Sequence, residues 1–186
     1  MSEPTSPALL PEAHVFIATS LDGYIATPDG DIEWLVSLPT PEGVDHGYAA
    51  FLAGIDAVLM GRGSYEKVLT FGEWPYDKPV LVLSRSLPPE ALRPDLAGRV
   101  RIVPDDPRAA LERLGAEGVR RVYVDGGQVI SAMLRAGLVK RLTVTRVPVL
   151  LGAGLPLFLD TGRHALRHVE TRVWSNGFVQ SVYDLA

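Results

Sequence analysis

Short apolar runs alternate with helical patterns along this chain, and this alternation restricts the fold more than any other feature. Runs rich in β-branched and aromatic residues predict strands at 14–20, 56–62, 78–86, 100–106, 120–127 and 141–152. Apolar residues at helical spacing predict helices at 45–54, 64–72, 107–118 and 128–137. Two alternating runs around Asn176-Gly177 predict a closing antiparallel hairpin. The order predicts an α/β fold, a mixed sheet with helices on its faces.

Length and composition fit one soluble domain. The 186 residues suffice for one substantial core, which we place at 13–186 after a flexible tail at 1–12. The tail has no Lys or Arg and no long apolar run, so it does not resemble a signal peptide. No apolar run approaches membrane-spanning length, so we expect no membrane segment. The chain has no cysteine, which excludes thiol chemistry and is compatible with a cytoplasmic location.

Charge and histidine content limit the classes of partner. The formal net charge of −4 argues against a nucleic-acid-binding protein, whose affinity depends on a basic face. The four histidines show no metal-ligand spacing such as HExxH. We therefore expect neither a nucleic acid nor a metal ion as a ligand.

A pair of glycines, Gly126 and Gly127, separates a predicted strand from a predicted helix. One explanation is a tight turn with no room for a Cβ atom. The other is a phosphate group that lies against the bare backbone, because a helix beginning at Gln128 presents free N–H groups and the positive end of its dipole. The glycine pair alone leaves both explanations open.

Two further strand ends carry residues that suit a phosphate. Gly61 ends a predicted strand and is followed by Arg62 and by Ser64, which we expect to cap the next helix. Ser84 and Arg85 follow the next predicted strand. Because ligands of open α/β sheets bind beyond the carboxyl ends of the strands, three such ends favour one phosphate-rich ligand. Each arginine could instead pair with a surface acid.

The chain resembles the dihydrofolate-reductase-like superfamily. It is most similar to the branch that contains the reductase domain of the bifunctional riboflavin-biosynthesis deaminase/reductase. The resemblance rests on five segments in the family's order: ATSLDGYIA, DAVLMGRGSYE, VLVLSRS, VYVDGGQVI and LVKRLTVTRVPVLLGAGLPLF. It implies a three-layer fold with a twisted mixed sheet, NADPH as the cofactor and a homodimer.

The resemblance also implies where the cofactor binds. Gly61, Arg62 and Ser64 match the family's phosphate-binding turn. The segment that holds the adenosine ribose and its 2′-phosphate corresponds to Leu83, Ser84 and Arg85. The pyrophosphate-binding turn corresponds to Gly126, Gly127, Gln128 and Val129. The strand end and loop beside the nicotinamide correspond to Ala18, Thr19, Ile25 and Ala26.

The catalytic residues are less clearly marked. Asp45 lies 16 residues before Gly61, as the substrate carboxylate does in many dihydrofolate reductases, but Asp45 could equally be a helix cap. Glu33 is a weaker candidate on the preceding loop, and Thr145 occupies the position of a threonine near the pterin.

The expected reaction is hydride transfer from NADPH to a pyrimidine- or pteridine-type heterocycle. The resemblance implies an activity similar to 5-amino-6-(5-phosphoribosylamino)uracil reductase. The alternatives are dihydrofolate reductase activity and a dimeric nucleotide-binding protein without turnover. The segment after Leu52 departs from the riboflavin enzymes' substrate pattern, so the cofactor is better specified than the substrate.

Overall fold

The structure, a computed structural model, describes residues 10–185 and contains ten strands and five α-helices in that range. The strands are β1 (Glu12–Thr19), β2 (Tyr24–Ala26), β3 (Ala57–Gly61), β4 (Val80–Leu83), β5 (Val100–Val103), β6 (Arg121–Asp125), β7 (Val139–Arg146), β8 (Leu155–Pro156), β9 (Leu166–Val173) and β10 (Val179–Leu185). The helices are α1 (Glu33–Val36), α2 (Tyr48–Ala53), α3 (Arg62–Val68), α4 (Pro107–Ala116) and α5 (Gly127–Arg135). Short 3-10 helices occupy Leu69–Phe71, Pro89–Ala91 and Pro94–Leu96.

Eight of the strands form one mixed sheet in the order β5-β4-β3-β6-β1-β7-β10-β9. The strands from β5 to β7 are parallel, and β10 pairs antiparallel with both β7 and β9. The predicted mixed sheet and the C-terminal hairpin are therefore confirmed. The remaining strands, β2 and β8, form a separate two-stranded ribbon.

The helices cover both faces of the sheet, as predicted. On one face α4 and α5 bury a cluster that includes Leu111, Ile130 and Met133. On the other face Tyr65 of α3 packs in a second cluster with Met60. The two clusters together give the three-layer arrangement that the sequence indicates.

The first strand begins earlier than predicted. Glu12 already belongs to β1, and Leu10 packs against the core beside it. The rest of the predicted tail, residues 1–9, lies outside the described residues. The seventh strand is shorter than predicted and ends at Arg146, because Pro148 cannot donate a ladder hydrogen bond.

Several small elements within the described residues were not predicted, and two of them lie between β1 and α2. Residues 20–34 contain β2 and the start of α1, where the sequence indicates only turns. Asp22 accepts hydrogen bonds from the backbone N–H groups of Leu151 and Gly152, at 3.1 and 2.8 Å, and so joins this loop to the chain after β7. Asp22 thus has a structural role.

The edge strand β9 is exposed along its whole length. Exposed apolar side chains on it are Leu166, Val169 and Val173, and Val179 of the paired strand β10 is exposed as well. Among the described residues, no helix is both long enough and apolar enough to cross a membrane.

Candidate functional site

Three neighbouring strands of the sheet end side by side, and the predicted phosphate-binding residues follow them. β4, β3 and β6 are adjacent and parallel, so their carboxyl ends lie at the same edge. Arg85, Arg62 and Gly126 therefore belong to neighbouring turns. The Nη1 atom of Arg62 donates to the hydroxyl of Ser86 at 3.3 Å, which joins the ends of β3 and β4.

The glycine pair is required by packing within the protein. Gly126 has φ +92°, and a Cβ atom there would lie 2.6 Å from the Oγ atom of Ser64. A Cβ atom on Gly127 would lie 2.7 Å from the carbonyl oxygen of Pro156 and 3.1 Å from Cδ1 of Ile25. The first of the two explanations, a turn with no room for a Cβ atom, is thus confirmed. A phosphate site in this turn depends on the N–H groups instead.

The N-terminus of α5 supplies those N–H groups. The first backbone hydrogen bond of the helix runs from Ile130 N to Gly126 O, so the N–H groups of Gly127, Gln128 and Val129 precede it. The side chain of Gln128 is exposed, whereas Val129 is buried against the end of β3. The positive end of the helix dipole, next to these N–H groups, favours an anion.

The two arginines are exposed and available for a ligand. Arg62 has one acidic neighbour, Glu66, whose carboxylate lies 3.8 Å from its Nε atom on the surface of α3. Among the described residues, no carboxylate lies within ion-pair distance of Arg85. The adjacent Ser84 is occupied with the turn, since its Oγ atom accepts from the backbone N–H of Leu87 at 2.9 Å. The surface-pair explanation therefore fits Arg62 weakly and does not fit Arg85.

The predicted cap at Ser64 is wrong. Helix α3 begins at Arg62 with Gly61 as its N-cap, and no side chain caps it. Ser64 is the third residue of the helix, and its Oγ atom lies beside Gly126, the residue that follows Asp125. The helix begins two residues before Ser64, so the Ser64 hydroxyl lies inside the first turn and cannot accept from the free N-terminal N–H groups as an N-cap does.

Asp125, which the sequence analysis did not select, is the most perturbed carboxyl group near these turns. It is the last residue of β6 and is only partly accessible to solvent. Burial raises its pKa, and hydrogen bonds from Ser64, the N–H of Gly126 and Tyr123 partly oppose the rise. Its position directly before the glycine pair, on a strand that ends in the site, was the available signal.

Three buried or half-buried phenols surround this carboxyl group. Burial, followed by the charge of Asp125, raises the pKa of Tyr48 to about 12. The same two causes raise the pKa values of Tyr76 and Tyr123. The phenols therefore stay neutral and can act as hydrogen-bond donors.

Beyond β6, the same face of the sheet continues across β1 to buried polar residues on β7 and β10. Thr145 is buried and lies opposite Ala18, the residue expected beside the nicotinamide. Its hydroxyl accepts from Nε2 of Gln180 at 2.9 Å, and that amide nitrogen also lies 3.1 Å from the carbonyl oxygen of His46. Thr19, next to Ala18, is buried and accepts a backbone hydrogen bond at its carbonyl.

The structure shows Asp45 in a capping role. Its two carboxylate oxygens accept from the backbone N–H groups of Gly47, at 2.9 Å, and Ala49, at 2.7 Å. These bonds, that of Ala49 first, lower the pKa of the exposed carboxyl group. Asp45 is therefore an anion at neutral pH and a poor proton donor, although the formal N-cap residue of α2 is Gly47. A substrate role for Asp45 stays a prediction.

Glu33 lies farther from these groups, at the start of α1. Its side chain is exposed, and its backbone N–H donates to Asp31 at 2.9 Å. Asp31 in turn forms an ion pair with Lys67 of α3 at 3.0 Å. The loop that carries Glu33 is thus held against the helix that follows the Gly61 turn, and a catalytic role for Glu33 also stays a prediction.

Comparison with known proteins identifies the family. The family described as the RibD C-terminal domain matches residues 11–180. The uncharacterized protein YwjB of Bacillus subtilis is 36% identical over 148 residues, 77% of this chain and 80% of that protein. The riboflavin biosynthesis protein RibD of Mycobacterium tuberculosis is 31% identical over 160 residues, 82% of this chain and 47% of RibD.

A solved structure confirms the fold. The putative riboflavin biosynthesis protein of Shewanella sp. PV-4 superimposes with a TM-score of 0.88 at 36% identity, covering 94% of this chain and 99% of that one. Sequence, fold and the arrangement of the strand ends agree with one another. The chain belongs to the RibD C-terminal domain family.

Proposed function

We propose that this protein is an NADPH-dependent reductase that transfers hydride to a pyrimidine- or pteridine-type heterocycle. The observation that carries the proposal is the edge formed by β4, β3 and β6. It combines two exposed arginines, a helix N-terminus and a carboxyl group with a raised pKa. A phosphorylated redox cofactor fits the arginines and the helix N-terminus at such an edge.

The donor groups of the three strand ends fit NADPH. The N-terminal N–H groups of α5 suit the pyrophosphate, and Arg62 suits a phosphate beside it. Arg85 suits the 2′-phosphate, because no carboxylate in residues 10–185 forms an ion pair with it. When bound, the cofactor supplies the hydride.

The chain itself must hold the substrate and supply the proton. We assign the proton to Asp125, because its raised pKa lets it keep a proton that an exposed aspartate would lose. After hydride reaches a carbon of the substrate's double bond, the other atom of that bond takes the proton, and Asp125 is left as a carboxylate. Ala18, Thr145 and the phenol groups provide a flat, partly polar surface against which the heterocycle can be positioned.

Titration calorimetry with NADPH and NADH tests the cofactor assignment. We expect tighter binding of NADPH, and Arg85→Ala should weaken it by about 10- to 100-fold without the same effect on NADH. Arg121→Ala is the matched control, since Arg121 lies at the opposite end of β6 and pairs with Glu12. Equal affinity of the wild-type protein for both nucleotides would contradict the assignment.

The substrate is tested separately. Dihydrofolate and 5-amino-6-(5-phosphoribosylamino)uracil should be offered side by side with saturating NADPH. Oxidation of NADPH with one of them supports the reductase and selects its substrate. Tight NADPH binding without turnover on either would favour the nucleotide-binding protein without turnover.

We also propose that the protein is a homodimer. The support is the exposed edge strand β9 and its exposed apolar side chains Leu166, Val169 and Val173. Sedimentation at micromolar concentration should give a mass of two chains. A single-chain mass would contradict the proposal.

A further inference from the structure

Tyr123 is a buried phenol between two hydrogen-bond acceptors. It lies on β6 two residues before Asp125, so the two side chains are on the same face of the sheet. Its Oη atom is 3.1 Å from the carbonyl oxygen of Phe16 and 3.4 Å from Oδ1 of Asp125. A phenol has a single proton to donate, whereas a backbone carbonyl and an ionised carboxylate can only accept.

Because the phenol has only one proton, the hydrogen bonds of Tyr123 depend on the protonation state of Asp125. When Asp125 is protonated, it can donate to Tyr123, and Tyr123 can donate to the carbonyl of Phe16. Both contacts are then satisfied. When Asp125 is ionised, the phenol can satisfy only one of its neighbours, and the charged carboxylate is the stronger acceptor.

We propose that Tyr123 is a positioning residue that serves Asp125 in both of its protonation states. It accepts a hydrogen bond from the acid before proton delivery and donates one to the carboxylate afterwards. This inference rests on the proposed function, in which Asp125 protonates the reduced heterocycle. The O–H bond of Tyr123 is never broken, and only its hydrogen turns from Phe16 towards Asp125.

The surroundings of Asp125 suit this exchange. The titratable groups that face it are the phenols of Tyr48 from α2, Tyr76 from the segment before β4 and Tyr123 from β6. Helix α3 contributes the hydroxyl of Ser64. The N–H of Gly126 also bonds to the carboxyl group, but an N–H can only donate. The phenol of Tyr123 can donate or accept, and its hydrogen bond to the carbonyl of Phe16 holds it in place while Asp125 is protonated.

Carbon-13 NMR of the protein labelled at aspartate carboxyl carbons tests the inference without cofactor or substrate. Asp125→Asn identifies the Asp125 resonance. In Tyr123→Phe, which keeps the ring, the carboxylate loses a charge-assisted hydrogen bond and the acid loses only a weaker neutral one, so the titration of Asp125 should move to higher pH. Tyr48→Phe is the control and should leave the titration near its wild-type position, because the hydrogen bonds to Asp125 come from Ser64, Gly126 and Tyr123 and not from Tyr48.

An unchanged Asp125 titration in Tyr123→Phe would overturn the inference, whatever the protein's activity. If Tyr123→Phe does not fold, wild-type protein grown with 3-fluorotyrosine replaces it. Its more acidic phenols are stronger donors, so the Asp125 titration should move to lower pH, and no movement would again overturn the inference. Failure of the proposed function has a different signature: the NMR shift is present, but no NADPH is bound.

For the wild-type enzyme with an active substrate, the pH profile of turnover adds a kinetic test. Loss of rate as Asp125 ionises should occur at higher pH in Tyr123→Phe than in the wild type. A profile that keeps its midpoint while the rate falls would indicate a purely structural role and contradict the inference.

Discussion

The end of β6 and the approach to α2 have the same local layout but opposite electrostatics. In the first region Asp125 precedes Gly126, which has φ +92°, and α5 follows. In the second region Asp45 precedes Gly47, which has φ +86°, and α2 follows. Burial raises the pKa of Asp125, whereas backbone N–H groups lower the pKa of the exposed Asp45.

The comparison shows that the surroundings decide what an aspartate before a helix can do. At Asp45 the carboxylate is stabilised as an anion by the amides of the following turn, and its negative charge is solvated. At Asp125 the carboxyl group loses solvent to the phenols and to α3, so its neutral form is favoured. The first arrangement suits a cap or an anionic contact, and the second suits a proton donor.

The largest effect should come from a side chain at the glycine turn of the first region. Gly127→Val would place a Cβ atom 2.7 Å from a backbone carbonyl oxygen, that of Pro156, which cannot rotate away. We expect the free energy of unfolding to fall by about 3 kcal/mol or more. Chemical denaturation followed by circular dichroism measures this.

Gly47→Ala is the matched control in the second region. No heavy atom lies within 4 Å of a Cβ atom there, and only the positive φ is unfavourable. The expected cost is therefore only about 1 kcal/mol. Equal costs for the two substitutions would show that the packing around Gly127 is not tight.

The next effect is on catalysis and distinguishes the two carboxyl groups. Asp125→Asn removes the proton but keeps the shape, so turnover on an active substrate should fall by about 10²–10⁴-fold. Asp45→Asn should lower turnover far less if its role is to cap the helix. NADPH affinity, measured in parallel, should stay near the wild-type value in both variants. A large loss of turnover in Asp45→Asn alone would reverse the assignment.

Much of the fold could be predicted from local patterns. Strands β3, β4 and β6, which end at the site, have continuous apolar runs, and their parallel pairing follows from the alternation with helices. The ribbon of β2 and β8 could not be predicted, because β8 has two residues and its pairing with β2 joins distant parts of the chain. Short strands of this kind are held by tertiary contacts rather than by their own sequence pattern.

The site residues also divide into those that the sequence could predict and those that it could not. Groups that act through the backbone or through an exposed charge, such as the α5 N-terminus and Arg85, can be recognised from their position after a strand. The importance of Asp125 could not, because its pKa depends on burial and on Ser64, which lies on another element. Ser64 was misassigned for the same reason: a capping serine and a serine three residues into a helix look alike in sequence.

The smallest effect, and the one that compares the two regions most directly, is the pH dependence of stability. The pKa of Asp45 is lowered in the folded state, so its contribution is present above the unfolded value of about 4 and is lost as the pH falls through the folded value. The pKa of Asp125 is raised, so its contribution is present below about 4 and is lost as the pH rises through the folded value.

The two asparagine variants should therefore respond to pH in opposite directions. An amide has one acceptor oxygen where the Asp45 carboxylate uses two, so Asp45→Asn should be slightly less stable than the wild type at neutral pH. That difference should vanish in acid, where the wild-type carboxylate is protonated. Asp125→Asn should instead gain stability relative to the wild type as the pH rises, because the variant has no buried carboxylate to ionise. Denaturation midpoints measured from about pH 3 to about pH 8 give the stability of each variant relative to the wild type as a function of pH. If the stability of both variants relative to the wild type changed with pH in the same direction, the two carboxyl groups would have the same kind of environment. Asp125 would then not be the proton donor.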